Sequence, residues 1–287
     1  MAVFGIDISV WQRGIDMNKA KAEGVKFAIC RAMYGNAKDT EFETNYKKVI
    51  AAGLGVGAYQ WGRAKNKAQA KEEAELLIQH CLKGKKFDYP IYYDVEDSIM
   101  LSLSKAALTE VISAWCDTLE DNGYFAGLYM SESAMQTETD KAKLIKKYSA
   151  WIASWCKEQY KPTCQMWQFG GETNLIRSNR VAGLVCDQDY AYVDFPAAIK
   201  EKGLNGYKKS GTNTPANTPA NTPATKPVPK YSLLVVDGIF GYESITMEQM
   251  MLNAEIDANL EVDGIEGLET NKARQRYINN WIRKQNY

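Results

Sequence analysis

Asp88-Tyr-Pro-Ile-Tyr-Tyr-Asp-Val-Glu-Asp97 decides how this chain is read. Its apolar and aromatic run predicts a buried strand that ends in acid. Alternate side chains of a strand share a face, so Tyr92, Asp94 and Glu96 point one way and Tyr93, Val95 and Asp97 the other. Two carboxyl groups one repeat apart, flanked by aromatic rings, can hold different protonation states, because burial and neighbouring charge push one pKa above the other. That arrangement suits acid-assisted cleavage of a glycosidic bond. By itself the segment reads at least as well as a solvated strand exit, and the rest of the chain has to decide.

Upstream, Phe4–Ser9 reads as a strand, Asp16–Glu23 as a helix closed by Gly24, and Val25–Ala32 as a second strand. A helix from Thr40 through Ala52 stops at Gly53. Leu54–Trp61 is the third strand. An amphipathic helix then runs from about Lys67 to Leu82, with Ala70, Ala74, Leu77, Ile78 and Cys81 on one face. Downstream of the acidic strand, Ser104 caps a helix through Leu119 and Tyr124–Met130 is the fifth strand. A helix over Thr139–Tyr148 leads to Ala150–Trp155, after which Gln165–Phe169 and Leu184–Tyr190 follow with turns in place of helices. Five strand–helix units and three further strands predict a parallel sheet closed into a barrel with helices outside. Catalytic groups of such barrels gather at strand C-terminal ends. Asp7, Asp94 with Glu96, and Asp187 all fall near strand ends, so distant residues converge on one mouth, which favours an active site over a solvated exit.

The chain has 287 residues with 35 Lys plus Arg against 35 Asp plus Glu. The balance gives no global field to recruit nucleic acid or an anionic membrane. No basic n-region with a long apolar run opens the chain, and nowhere do roughly 18 apolar residues run together. The expectation is therefore no signal peptide, no membrane insertion and no nucleic-acid partner. Six cysteines without a Cys-x-x-Cys pair, and the single His80, argue against a Cys/His metal site and a catalytic Ser-His or Cys-His couple. No metal and no cofactor are expected. The thiols read as small core residues, with Cys156 and Cys164 the pair to check for a disulfide. Gly53, Gly55 and Gly57 lead into a strand, whereas a phosphate loop leads into a helix.

Ser210–Lys230 repeats Thr-Pro-Ala-Asn with almost no apolar bulk, which predicts an extended, semi-rigid spacer. In the tail, Val236-Asp-Gly-Ile-Phe-Gly-Tyr-Glu-Ser244 recurs as Val262-Asp-Gly-Ile-Glu-Gly-Leu-Glu-Thr270, each copy a turn leading into a helical segment. The tail carries nine acidic and five basic residues, which disfavours a polyphosphate-binding role. Tyr59, Trp61, Tyr129 and Trp167 fall on predicted strands. Each can stack on a sugar or simply fill the barrel. Arg31 and Arg63 could orient carboxylates or an acylated sugar.

Gly5-Ile-Asp7-Ile-Ser9-x-Trp11-Gln12, Gly57-Ala-Tyr59 with Arg63, Tyr93-Asp94-Val95-Glu96, Trp167-Gln168 and Val185-Cys-Asp187-Gln-Asp-Tyr190 occur in an order that resembles the glycoside hydrolase family 25 lysozymes, the Chalaropsis-type N-acetylmuramidases. The resemblance covers residues 1–209 and implies a (β/α)5(β)3 TIM-like barrel. It further implies hydrolysis of the β-1,4 bond between N-acetylmuramic acid and N-acetylglucosamine in peptidoglycan. Glu96 is then the general acid, Asp94 stabilises the oxocarbenium-like centre or orients the substrate's N-acetyl group, and Asp7 and Asp187 tune the acid and hold the sugar. Tyr59, Trp61, Arg63, Tyr129, Trp167 and Gln168 are the expected substrate contacts. Asp189 stands where that family usually has Asn, and Trp61 where it often has Phe. Residues 231–287 resemble a small peptidoglycan-binding domain. With 210–230 as linker, the layout is that of a phage endolysin, held in the host cytoplasm until release and then acting on the wall. The tail's expected partner is peptidoglycan or a secondary wall polymer, or a second copy through oligomerisation. A non-catalytic wall-binding protein and a chitin-type glycosidase are the alternatives.

Overall fold

The computed structural model describes residues 2–156, 164–208, 242–260, 262 and 268–285. Eight strands form one ring: β1 (Val3–Ile8), β2 (Phe27–Tyr34), β3 (Gly55–Trp61), β4 (Ile91–Asp94), β5 (Ala126–Ser131), β6 (Ser149–Ala153), β7 (Met166–Gly170) and β8 (Asp187–Ala191). Neighbours from β1 to β7 pair in parallel. Strand β8 closes the ring by pairing antiparallel with both β7 and β1. The expected (β/α)5(β)3 barrel is the fold. Because β8 runs against the others, its first residue, Asp187, lies at the same end as the last residues of β1–β7.

Local capping sets where the covering helices begin. Asp16 accepts from the backbone N–H of Asn18 and Lys19 at the start of α1 (Met17–Ala22). Helix α2 (Phe42–Ala51) follows β2. Asn66 and Ser104 cap α3 (Lys67–Leu77) and α4 (Lys105–Asp121) in the same way as Asp16. The helix expected to reach Leu82 loosens after Leu77 into one wide turn, in which Lys83 N–H bonds the Ile78 carbonyl at 2.9 Å and His80 is exposed. The helix expected over Thr139–Tyr148 is the shorter α6 (Lys141–Ile145), capped by Asp140, and a separate helix not expected, α5 (Glu132–Thr137), precedes it, capped by Ser131. Ser131 closes β5 and caps in one residue.

Strand alternation separates two apolar regions. Ile6, Ile8, Ala28 and Tyr93 face the helices, and Tyr93 stacks on Trp115 at 4.6 Å while its hydroxyl donates to Glu73 at 2.5 Å. Phe27, Ile29, Tyr59, Tyr92, Tyr129 and Trp151 fill the barrel interior. These rings need room. A Cβ on Gly5 would stand 2.3 Å from the Phe27 ring, and one on Gly57 would stand 2.6 Å from Ile29 and 2.8 Å from Tyr89. Gly57 is thus a packing glycine inside β3, not part of a phosphate cradle. Cys30, Cys81, Cys116 and Cys186 are buried thiols of this core. Burial pushes Cys81 up to about 11 and Cys164 up to about 12. Cys164 is a free thiol, so no bridge joins it to Cys156.

The chain divides into two units, residues 1–210 and 211–287. In the second, α7 (Tyr242–Ile256) and α8 (Leu268–Gln285) bury Leu252 and Ala273. Gln249 donates to Thr270 at 3.1 Å, and Arg274 pairs with Glu248. The expected spacer over 210–230 lies outside the described residues, as do most of the repeated turns before the two helices. Among the described residues, no helix is long and apolar enough to cross a membrane.

Candidate active site

Acidic residues from three strands meet at the C-terminal mouth of the barrel. Asp7 lies near the end of β1, directly across from Asp187 at the start of β8. Asp94 ends β4, in register with Trp61 on one side and Tyr129 on the other. Its strand stops there, so Glu96 stands on the following loop, held by the Val95 N–H bonding the Tyr129 carbonyl at 3.0 Å. The expected alternation therefore holds for Tyr92 and Asp94 as inward residues, while Glu96 owes its place to the loop. Asp97 turns away to cap the helical turn Ser98–Leu101 through the Ile99 N–H.

Asp7 and Asp94 are 5% and 4% exposed, while Glu96 and Asp187 are half-buried. Every one is raised above the ordinary carboxylate range. For Asp7 burial acts first and the charges of Asp187 and Asp189 next. For Asp94 burial acts first and Glu96 second, with Arg31 opposing. Asp187 is pushed up to about 6 by burial and then by Glu96 and Glu172. Burial raises Glu96, with the nearby Tyr129 hydroxyl acting in the opposite direction. Crowding five acids, Asp189 included, into a desolvated mouth favours protonated carboxyl groups there.

Gln168 is the hub between them. Its Nε2 donates to Asp7 Oδ2 at 2.9 Å, while its Oε1 accepts from Tyr129 Oη at 2.9 Å and from Trp155 Nε1 at 3.2 Å. Tyr59 lines the inner wall beneath, its ring edge-on to Trp151 at 6.1 Å. Trp61 and Arg63 occupy the rim. The Trp61 indole donates to Asp97 Oδ2 at 3.3 Å and stacks on Tyr34 at 5.7 Å, and Arg63 pairs with the same Asp97 oxygen at 3.1 Å. Trp167 is a correction. It is fully buried on the outer side of the sheet, packed against Phe169 and Tyr190, with its Nε1 donating to the Ser154 carbonyl. Its neighbour Gln168 points inward, so strand parity forces Trp167 outward and away from any substrate in the mouth.

The structure adds residues that sequence reading left out of the site. Asp189 is completely buried two residues below Asp187. Its Oδ1 accepts from Trp151 Nε1 at 2.8 Å, and its Oδ2 has no hydrogen-bond partner. Trp155 and Tyr34, 42% and 41% exposed, present flat rings at the rim. Arg31, named from the sequence as able to orient carboxylates, is bonded to Asp39 at 2.8 Å and is a cation acting on Asp94. Parity with Asp187 was the available signal for Asp189, whereas nothing local marks Trp155 as adjacent to Gln168.

Gly171 is the most sharply constrained glycine at the mouth. A Cβ there would stand 1.8 Å from Asp187 Oδ1 and 3.1 Å from the Trp155 ring. Gly171→Ala is expected to displace the Asp187 carboxyl and lower turnover by about 10-fold or more while leaving the fold intact, since a misplacement of about 1 Å can cost about 10²-fold. Steady-state rates set beside a thermal melt check this, and an unchanged rate excludes a role for the Asp187 position.

The model of Glycosyl hydrolases family 25 matches residues 6–176. The chain is similar to the D-alanyl-L-alanine endopeptidase of Streptococcus phage B30, 31% identical over 173 residues, covering 55% of this chain and 38% of that protein. It is 42% identical over 62 residues to Lysozyme M1 of Streptomyces globisporus, 21% of either chain. It therefore spans well under two thirds of these relatives. Among solved structures, the bacterial lysozyme from Streptomyces coelicolor superposes with a TM-score of 0.60 at 22% identity, over 72% of this chain and 99% of that one, a likeness of fold.

Proposed function

This chain belongs to the glycosyl hydrolases of family 25, and on that premise we propose that its barrel hydrolyses the β-1,4 bond between N-acetylmuramic acid and N-acetylglucosamine in bacterial peptidoglycan. The observation that carries the reading is the pair Asp94 and Glu96. One is fully buried and the other half-buried, both are raised in pKa, and the two stand at the mouth with Asp7 and Asp187. Glu96 is the general acid. It protonates the leaving glycosidic oxygen, and its half-exposed position lets it reach substrate while burial keeps its proton. Asp94 carries negative charge toward the oxocarbenium-like centre, or orients the substrate N-acetyl group as an internal nucleophile. Asp7 and Asp187 hold the sugar and add the charge that raises their neighbours. Tyr59, Trp61, Arg63, Tyr129 and Gln168 line the approach.

The test is to digest purified peptidoglycan, label the reducing ends and weigh the products by mass spectrometry. Reducing N-acetylmuramic acid ends are expected. Reducing N-acetylglucosamine ends would change the bond, release from soluble chitin oligomers would change the substrate, and no new ends would leave a wall-binding protein.

The tail, residues 231–287, is assigned the role of wall anchor, joined through a spacer at 210–230. The support is its repeated turn–helix pattern and the resemblance to small peptidoglycan-binding domains. An endolysin-like route, in the host cytoplasm until release and then at the wall, fits this layout. Fluorescently labelled full chain is expected to decorate purified cell walls, and a chain ending at residue 209 to lose most of that binding. Equal retention by the shortened chain would place wall affinity in the barrel.

A further inference from the structure

Trp11 is 81% exposed, more than any other large apolar side chain among the described residues. A single apolar residue in water is common on protein surfaces. What sets this one apart is how firmly its backbone is held. The helical turn Val10–Gln12 follows directly on β1, so it belongs to the mouth of the barrel. Ser9 and Gln12 cap it reciprocally: Ser9 Oγ accepts from the Trp11 N–H at 3.3 Å, and the Ser9 N–H donates to Gln12 Oε1 at 3.0 Å. Two buried side chains reach the turn from below, Asn45 donating to the Ser9 carbonyl at 3.4 Å and Asp39 accepting from the Val10 N–H at 3.1 Å. The same Asp39 oxygen is bonded to Arg31 of β2. On the other side, Gln12 Nε2 donates to the carbonyl of Val185, two residues before Asp187. The turn is thus tied to both neighbours of β1, and the exposed indole stands on a rigid base at the rim.

Trp11 also continues a row. Tyr34 ends β2, Trp61 ends β3, and their rings stack at 5.7 Å. Three aromatic side chains therefore stand at the ends of three consecutive strands. Neighbouring strands lie about 4.8 Å apart, so the row covers roughly 10 Å of rim, more than one sugar ring needs. Trp155, just beyond β6, stands across the mouth from this row, with the acids between. A pyranose ring packs its C–H face on an aromatic plane while its hydroxyls stay in water. We infer that Trp11 is the platform of a distal sugar subsite, stacking on a saccharide ring remote from the bond being cleaved and so making the protein selective for long glycan strands. The inference rests on the glycan-cleaving reading above and extends it from which bond is cut to how much of the strand is held. Contact remote from the reacting bond is the same in the ground and transition states, so it lowers KM and leaves kcat alone. A base fixed before substrate arrives keeps the ordering cost of that contact small.

The test uses the full chain and peptide-free glycan strands from purified peptidoglycan, separated by length. On long strands Trp11→Ala is expected to raise KM about tenfold with kcat unchanged. On the shortest fragment that the wild type cleaves, the two proteins should agree. Trp11→Tyr keeps a flat face and should recover most of the long-strand KM. An unchanged KM on long strands overturns the inference, and so does an equal rise on long and short strands, which would make Trp11 a contact of the central sugars. A fall in kcat, or no recovery in Trp11→Tyr, likewise overturns it. Because the indole is exposed, thermal melts of the three proteins should coincide, and a melt lowered in Trp11→Ala would trace its loss to the turn instead. Failure of the cleavage reading is distinguishable, because the wild type would then release no new reducing ends from any strand. Calorimetric titration of the same long strands into Glu96→Gln, with and without Trp11→Ala, still reads the subsite in that case. About tenfold weaker binding is expected in the double variant, and equal binding overturns the inference.

Discussion

Glu96→Gln is expected to lower turnover on peptidoglycan by about 10²–10⁴-fold, the range associated with a lost general acid, while leaving wall affinity close to that of the wild type. Glutamine keeps the size and hydrogen-bonding outline of a protonated glutamic acid, so the half-buried pocket survives. What it lacks is a transferable proton, and the leaving glycosidic oxygen must then depart as an alkoxide. The same logic gives a pH dependence. Burial raises the Glu96 pKa, so wild-type activity is expected to persist above the ordinary glutamate pKa and to fall as pH climbs through the raised one. The variant should show no such alkaline limb in its residual rate. Initial rates of wall clearing across pH 4–9, paired with sedimentation of bound protein with walls, check both halves. Near-normal turnover in Glu96→Gln would take the acid role from this residue.

The barrel was legible in the chain because its signals are local and repeated. Most strands are apolar runs of the right length, α1, α3 and α4 start at capping side chains, and the switch to consecutive strands after Trp155 marks where the helices stop. The acids were legible for a related reason, since a charge at the end of an apolar run has few places to go but the mouth. What could not be read is cross-strand adjacency. Trp155 and Gln168 are 13 residues apart on different elements and meet only because β6 and β7 pair in parallel. Trp167 illustrates the limit from the other side. Its aromatic type suggested a sugar contact, yet parity with inward-facing Gln168 sends it to the outer core. Asp189 lay in plain view two residues from Asp187, but only the closed barrel reveals a fully buried carboxyl with one partnerless oxygen.

Asp94→Asn is expected to move activity and stability in opposite directions. Asp94 is 4% exposed, its Oδ1 has no hydrogen-bond partner, and its pKa is raised well above the ordinary value by burial, by Glu96 and by Asp187, with only Arg31 opposing. In the unfolded chain the same carboxyl ionises freely near its ordinary pKa of about 3.9. Between that value and the raised one, the unfolded state has released the proton and the folded state has not, so wild-type stability is present at low pH and lost as pH rises. Asn makes no such transition. The melting temperatures of Asp94→Asn and wild type should therefore agree near pH 4 and diverge toward pH 8, with the variant the more stable. The gain is expected to be several degrees, since about 1 kcal/mol moves the melting temperature of a unit of this size by roughly 2–4 °C. Turnover should meanwhile fall by about 10²–10³-fold, the order found when a preorganised electrostatic partner is removed. Calorimetry at pH 4 and pH 8 beside rates on purified walls reads both. A variant less stable than wild type at pH 8 would mean that Asp94 supports the barrel instead of straining it. The expected pattern would mark the mouth as a site where the fold gives up stability to keep like charges together, because separated charges could not act on one glycosidic bond.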